Sequence, residues 1–260
     1  MSFGSGRPRV VSLFSGVGGL DLALERLWGA EPIVVCEIEP YPRAVLARHW
    51  PHAEIFSDVR SLVGSRYRGA DIVAGGFPCQ DISAMGSKAG LAGAKSGLWR
   101  EFARVIEEVE PSVVCIENVK ELRSRGLDRV LRDLAAHRFD AAWTTVRGRD
   151  AGLYILRPRI FVLAIARGQR RQSEPAAWLH DHRPPRNHAH RRHARLAWAR
   201  GEPRPSACPQ PGLLRGAPWA ARELDEARRR ERLRCTGNAV ATAQAILGLQ
   251  LCMNMLSIPR

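Results

Sequence analysis

The sequence predicts an α/β protein whose core is a doubly wound, mainly parallel sheet with helices on both faces. Three observations support this fold class. Short apolar runs alternate with amphipathic stretches over residues 1–166, those stretches repeat apolar residues at helical spacing, and a glycine-rich turn joins the first pair. Strands that alternate with helices pair in parallel, because each helix crosses one face of the sheet between two strands.

The strands are predicted from short runs of β-branched and other apolar residues, which are typical of buried strands. These runs are 9–15, 32–38, 70–76, 112–118, 141–148 and 159–166. Ligands of such sheets bind outside the carboxyl ends of the strands. The residues that end or follow each run are therefore the first candidates for a site.

The helices are predicted from apolar residues that recur three or four positions apart. The clearest case is 96–111, whose apolar positions share one face: Leu98, Phe102, Val105, Ile106 and Val109. The other predicted helices are 18–28, 42–50, 127–137 and the second half of 232–251.

The charge of the chain is concentrated near its C-terminal end. The 260 residues carry a formal net charge of +14, and residues 167–234 contain seventeen arginines against seven acidic residues. A protein this basic usually binds a polyanion, and nucleic acid is the first candidate; a solvated basic surface is the alternative. We predict an α/β domain at 1–166, a basic and poorly ordered region at 167–234, and a helix within 235–260 that returns to the first domain.

Cysteine usage and hydropathy predict a cytoplasmic protein that is not associated with a membrane. No secretory signal is recognisable, and the six cysteines form no CxxC pair, so we expect reduced thiols. Gln244, Gln250 and Asn254 interrupt the most apolar late stretch, which favours a globular helix. Five histidines at 180–193 lack accompanying cysteine pairs, so no metal site is predicted.

A glycine-rich turn follows the first predicted strand, in "LFSGVGGLDLAL" (residues 13–24). Gly16, Gly18 and Gly19 lead from the strand into a helix. Glycines at such a turn let a ligand approach the backbone beside a helix N-terminus. The spacing is not GxGxxG, so a dinucleotide is not favoured, and a purely steric role is the alternative.

Two acidic residues lie near the ends of neighbouring segments. Glu37 ends the second predicted strand, and Asp58 lies near the end of a further short segment. An acid after the second strand of such a fold suits the hydroxyl groups of a ribose. Each acid alone is as readily explained as a surface carboxylate, but together with the glycine turn they indicate a nucleoside pocket.

The stretch "GGFPCQ" places Cys79 where a strand ends and a loop begins. A thiol becomes nucleophilic when its pKa falls, or when a base or cation lies close to it. Glu117 ends another predicted strand, on the same rim of the sheet, where a carboxyl group can act as an acid or a hydrogen-bond partner. The alternatives are a buried, inert Cys79 and a solvated or capping Glu117.

These motifs resemble those of the DNA (cytosine-5) methyltransferase family. The blocks "LFSGVGG", "GGFPCQ", "ENV", "RPRIF" and "GNAV" follow one another in that family's order. The resemblance covers roughly residues 9–166 and 235–256. It implies a Rossmann-like fold that binds S-adenosyl-L-methionine, with a small basic target recognition insertion before the last motif.

The resemblance implies a catalytic role for four residues. Cys79 would attack C6 of cytosine, and Glu117 would hold the exocyclic amine and ring N3. Arg157 and Arg159 would steady the cytosine carbonyl, a nearby phosphate and the thiolate. The target base must leave the duplex to be reached, so the implied partner is double-stranded DNA with a flipped cytosine.

The resemblance also implies which residues bind S-adenosyl-L-methionine. Phe14 would pack on the adenine, Glu37 would bind the ribose and Asp58 would contact the adenine. The further implied positions are Ser15, Gly16, Gly18, Gly19, Ile38, Val59, Pro78, Leu98, Asn238 and Val240.

Two departures from the family pattern bear on activity. Ile155 stands where the family usually has glutamine, and the run that normally supports the recognition region is not visible. We expect a monomeric DNA methyltransferase of a restriction-modification, solitary or phage context, with a cognate restriction endonuclease as a possible partner. A transfer RNA methyltransferase and a non-catalytic nucleic-acid-binding relative are the alternatives.

Overall fold

The computed structural model describes residues 6–78, 98–153, 157–167 and 240–256. In this part of the chain, seven strands form one sheet in the order β3-β2-β1-β4-β5-β7-β6. The strands are β1 (Arg9–Leu13), β2 (Glu31–Cys36), β3 (Glu54–Phe56), β4 (Ile72–Gly75), β5 (Val113–Val119), β6 (Phe139–Arg147) and β7 (Pro158–Ala166). Strands β1 to β5 all pair in parallel, which confirms the mainly parallel sheet.

Helices connect most of these strands. The helices of the described ranges are α1 (Gly19–Trp28), α2 (Pro40–His49), α3 (Leu98–Val109), α4 (Leu122–Arg125), α5 (Leu127–Ala136) and α6 (Thr242–Leu256). Short 3₁₀ turns cover Val59–Ser61, Gly64–Tyr67 and Gly148–Ala151. None of the described helices combines the length and apolar character that crossing a membrane requires.

The core lies on both faces of the sheet, because successive strand residues point to opposite sides. Val11 of β1 belongs to a buried cluster with Phe102 of α3 and Val130 of α5. The neighbouring Val10 belongs to a second cluster, with residues of α1 and α6. Helices therefore cover both faces, which confirms the doubly wound arrangement.

Strand β7 reverses the direction of the sheet. It runs antiparallel to both β5 and β6, so it lies between two strands that precede it in the chain. In an antiparallel pair, the start of one strand lies beside the end of the other. Arg159, near the start of β7, is consequently paired with Val119 at the carboxyl end of β5.

Helix α6 packs against the sheet through residues with little space between them. Gln244 Nε2 donates hydrogen bonds to the carbonyl oxygens of Val146 (2.7 Å) and Arg157 (2.9 Å). A Cβ atom added at Gly248 would lie only 2.3 Å from Cδ2 of Phe161. Glycine at this position is what allows α6 to approach β7.

Replacing Gly248 by alanine is therefore expected to destabilise the protein by about 1–3 kcal/mol, the usual cost of overpacking a core. Urea unfolding followed by circular dichroism measures this free energy. Asn254→Ala, at an exposed position of the same helix, is the control and should change stability by less than about 0.5 kcal/mol. Equal stability of the two variants would contradict the close packing of α6 on Phe161.

Candidate active site

A cavity of about 350 Å³ opens at the carboxyl ends of β1, β2, β4 and β5. This volume lies within the range of small-molecule sites. Its lining includes nine of the predicted site residues: Phe14, Ser15, Gly16, Gly19, Glu37, Ile38, Pro78, Glu117 and Val240. The structure thus brings together residues from five separate segments of the chain.

The glycine turn is held in a conformation that few residue types adopt. The backbone N–H of Ser15 donates to the carbonyl of Cys36 at 3.0 Å, which ties the turn to the end of β2. Gly16 and Gly18 have positive φ angles of 56° and 80°, and so does Phe14, at 52°. A positive φ is uncommon for a bulky side chain and often marks a functional position.

The glycines of the turn differ in what they face. A Cβ atom at Gly18 would lie 2.5 Å from the Trp50 ring, so this glycine meets the core beneath the turn and does not line the cavity. A Cβ atom at Gly19 would lie 2.3 Å from the carbonyl oxygen of Val240. Gly19 therefore lets the residues before α6 reach the rim of the cavity.

Glu37 is fixed in place by the backbone around it. Its Oε2 accepts from the N–H of Gly16 at 2.8 Å, and its Oε1 accepts from the N–H of Glu39 at 2.9 Å. The residue is only 9% exposed, whereas the adjacent Ile38 is 72% exposed at the mouth of the cavity. Each carboxylate oxygen retains a second lone pair, so Glu37 can still accept from a ligand hydroxyl group.

Replacing Glu37 by alanine is expected to weaken the binding of an adenosyl ligand by about 10- to 100-fold. The variant loses the acceptor oxygens and also releases the N–H groups of Gly16 and Glu39, and hydrogen bonds to charged groups contribute about 1.5–3 kcal/mol each. Calorimetric titration with S-adenosylhomocysteine measures the change. Glu107→Ala, exposed on α3, is the control, and equal affinities of the two variants would place the ligand elsewhere.

Four predicted cofactor residues of the described ranges do not line the cavity: Gly18, Asp58, Val59 and Leu98. Asp58 caps the first 3₁₀ turn, because its Oδ1 accepts from the N–H of Arg60 at 3.0 Å. Val59 is buried in the core, and Leu98 begins α3 and packs against the same core. Cys79 and Asn238 lie outside the described residues.

Glu117 and Arg159 form an ion pair at the carboxyl end of β5. Arg159 Nε lies 2.8 Å from Glu117 Oε1, and the two side chains are only 9% and 16% exposed. Burial raises the pKa of Glu117, while the charges of Arg159 and Arg157 act against that rise. The pair therefore places a carboxyl group with a raised pKa at the cavity wall.

Three polar residues that the sequence did not single out also shape the site. Asn118 is buried and its Nδ2 donates to the carbonyl of Phe77 at 3.1 Å, which holds the segment before Pro78 against β5. Ser12 and Asp21 line the cavity beside the glycine turn. Asn118 lies within "ENV" and could have been noticed there, whereas Ser12 and Asp21 carry no signal in a single sequence.

No group of three or more histidine, cysteine, aspartate or glutamate side chains that could hold a metal ion occurs in the described ranges. The cavity offers hydrogen-bonding groups and apolar walls instead. Such a lining is typical of sites for small organic molecules.

Comparisons with known proteins agree with this geometry. Over 164 residues the chain is 35% identical to the Type II methyltransferase M2.BsuMI of Bacillus subtilis. This match covers 60% of this chain and 41% of that protein. It is 30% identical over 159 residues to the Type II methyltransferase M.CviJI of Paramecium bursaria Chlorella virus IL3A, covering 60% of this chain and 43% of that protein. The chain thus spans about two fifths of the length of these two relatives.

Solved structures are similar as well. A prophage-encoded DNA modification methyltransferase of E. coli superposes with a TM-score of 0.51 at 26% identity, covering 61% of this chain and 46% of that one. The S. pombe Dnmt2 methyltransferase superposes with a TM-score of 0.53 at 19% identity, covering 62% and 51% of the two chains, and shows the shared fold.

The family described as C-5 cytosine-specific DNA methylase matches residues 8–197, which is well over half of the chain. The match includes every strand of the sheet, the glycine turn and the ion pair between Glu117 and Arg159. This chain therefore belongs to the C-5 cytosine-specific DNA methylase family.

Proposed function

We propose that the protein transfers a methyl group from S-adenosyl-L-methionine to C5 of a cytosine in double-stranded DNA. The observation that carries the proposal is the ion pair of Glu117 with the buried Arg159, in which Glu117 lines a nucleoside-sized cavity. The family match and the Type II methyltransferase relatives support it.

The residues of the cavity fit S-adenosyl-L-methionine. Glu37 is held so that its remaining lone pairs suit ribose hydroxyl groups, and the exposed Ile38 beside it offers an apolar surface to the adenine. Gly16 keeps the turn open above α1, because a Cβ atom there would extend into space that has no atom within 4 Å. When bound, the cofactor would supply an electrophilic methyl group on its sulfonium.

The proposed reaction starts at Cys79. Its thiolate forms a bond to C6 of the flipped cytosine, and N3 takes a proton from the Glu117 carboxyl group. The electron density then reaches C5, which would take the methyl group as the bond between that group and the sulfonium sulfur breaks. A water molecule would take the C5 proton, and the electrons of that C–H bond would form the C5–C6 double bond and expel the Cys79 thiolate. The ring is then aromatic again, and N3 returns its proton to Glu117.

Arg159 has a defined part in this scheme. It holds the carboxyl group of Glu117 in place through the 2.8 Å contact to Oε1, which leaves Oε2 for the base. Arg157 adds positive charge near the same carboxyl group. Both arginines can then contact the cytosine carbonyl and a phosphate, as guanidinium groups readily do.

Basic residues 167–234 would bind the DNA backbone in a salt-dependent manner. The setting we propose is a restriction-modification system or a phage, with the protein acting as a cytoplasmic monomer. A cognate restriction endonuclease would then be its functional partner.

Covalent trapping on 5-fluorocytosine DNA tests the proposal directly, because fluorine at C5 prevents the final elimination. With S-adenosyl-L-methionine present, the wild type should form an adduct that survives denaturing electrophoresis, and Cys79→Ser should not. Cys208→Ser removes a thiol outside the family match and should retain the adduct. An adduct with RNA alone would assign an RNA substrate instead, and no adduct with either would leave a binding protein.

A further inference from the structure

Asp21 is a buried carboxylate with no hydrogen-bond partner among the described residues. It lies in the first turn of α1, is 1% exposed and lines the cavity. Neither of its oxygens makes a hydrogen bond. A buried polar group without a partner costs about 1–3 kcal/mol, and more when it is charged, so such a group in a cavity wall calls for an explanation.

The groups around Asp21 do not satisfy it. The Ser12 hydroxyl and the backbone N–H of Asp21 both act to lower the pKa of Asp21. Neither forms a hydrogen bond of normal geometry with its oxygens, and the Ser12 hydroxyl contacts the Ser15 hydroxyl at 2.8 Å. Burial dominates and raises the pKa of Asp21 to about 6. No salt bridge joins the carboxyl group to a cation in the described part of the chain.

Two other carboxylates of this cavity, one buried and one partly buried, differ in that respect. Glu37 accepts two backbone N–H groups, and Glu117 pairs with Arg159. These two acids are held by hydrogen bonds or an ion pair within the protein, whereas the oxygens of Asp21 accept no hydrogen bond in the described part of the chain. Among the three, Asp21 is the acid whose partner is best supplied by a ligand.

The start of α1 adds a charge of opposite sign. Gly18 provides no side-chain cap, and Gly19 and Leu20 line the cavity next to Asp21. The first N–H groups of a helix lack intrahelical partners and attract an anion. The helix N-terminus, which attracts an anion, thus lies beside the carboxylate of Asp21, which attracts a cation. This arrangement suits a ligand in which one carbon atom carries both a carboxylate and an ammonium group.

We propose that Asp21 binds the α-ammonium group of the amino-acid moiety of S-adenosyl-L-methionine. This proposal rests on the proposed function, because it requires the adenosyl cofactor to occupy this cavity. Asp21 then acts as a binding residue that selects ligands with a free amine.

The proposal also predicts how replacing Asp21 changes the stability of the unliganded protein. A buried carboxylate whose partner is a ligand destabilises the protein when that ligand is absent. Asp21→Asn removes the buried charge while keeping the size of the side chain. The unliganded variant should consequently melt at the same temperature as the wild type or above it, whereas a structural aspartate would lower the melting temperature on replacement.

The test compares the affinities of the wild type and Asp21→Asn for two probes, measured by calorimetric titration. The two probes are S-adenosylhomocysteine and 5′-deoxy-5′-(3-carboxypropylthio)adenosine, which lacks only the amine. On the wild type, removal of the amine should weaken binding about 10- to 150-fold, the range for a hydrogen bond to a charged group. On Asp21→Asn, S-adenosylhomocysteine should already bind that much more weakly, and removal of the amine should have little further effect.

Asp128→Asn changes the net charge equally on an exposed part of α5, and it should bind both probes as the wild type does. The proposal is overturned if removal of the amine costs the same in wild type and Asp21→Asn. It is also overturned if Asp21→Asn melts lower and loses affinity for both probes alike, or fails to fold. A wild type that binds neither probe would instead show that the proposed cofactor is wrong, and this result needs no variant.

Discussion

Replacing Glu117 by glutamine is expected to lower the rate of methyl transfer by about 10²- to 10⁴-fold, the range for loss of a positioned general acid. Glutamine keeps the size of the side chain and an oxygen for Arg159 Nε, which lies 2.8 Å from Glu117 Oε1. It cannot pass a proton to N3 of the base. Single-turnover transfer of a tritiated methyl group to duplex DNA measures the rate.

The affinity for S-adenosylhomocysteine separates this role from a structural one, because a lost proton donor leaves the nucleoside pocket intact. It should be retained in Glu117→Gln. Glu107→Gln, exposed on α3, is the matched control and should react at the wild-type rate. A fully active Glu117→Gln would remove this carboxyl group from the chemistry, and an equal loss of cofactor affinity would assign it to the pocket instead.

Replacing Arg159 by methionine is expected to destabilise the protein by about 3–5 kcal/mol near neutral pH, because it leaves a buried carboxylate without its partner. Methionine retains apolar contacts of the arginine stem. The two charged groups are only 9% and 16% exposed, so water does little to replace the lost contact. Urea unfolding measures the free energy.

The loss should depend on pH with a definite sign. Arg159 acts against the rise in the pKa of Glu117 that burial causes, so its removal lets that pKa rise further. A carboxyl group whose pKa is raised on folding favours the folded state at low pH, and that contribution is lost as the pH rises through the folded-state value. The variant should therefore be destabilised less at about pH 5 than at about pH 8.

Arg132→Met is the control for this measurement. Arg132 and Asp128 form an ion pair on α5 with exposures of 75% and 76%, and exposed pairs contribute about 0–1 kcal/mol. Its replacement should be nearly neutral at both pH values. A loss in Arg159→Met that did not vary with pH would indicate missing packing contacts and not an unpaired Glu117.

Local sequence was sufficient to predict the main strands of the sheet and much of the candidate site. Apolar runs such as 70–76 and amphipathic stretches such as 96–111 reflect burial within a few neighbouring residues, so their type is readable without the fold. The three-residue strand β3 was not assigned, because a run that short has no period to detect. Glu37 and Glu117 were expected at strand ends, and both line the cavity.

Other predicted site residues have structural roles, which depend on contacts that a single sequence does not reveal. Asp58 caps a 3₁₀ turn, and Gly18 faces the ring of Trp50. In both cases, the residue type fits a ligand site and a structural role equally well. Which role it takes is decided by what the folded chain brings to within a few ångströms.

The sequence by itself determined the order of helices and strands, the class of fold and the chemical groups available at the strand ends. Only the tertiary structure decided how those groups are used. Strand β7 runs antiparallel beside β5 and so delivers Arg159 to Glu117, 42 positions earlier in the chain. Burial leaves Asp21 unpaired while Glu37 accepts two N–H groups. These differences arise because pairing and burial depend on the free energy of contacts between distant segments, and no local pattern in the chain records them.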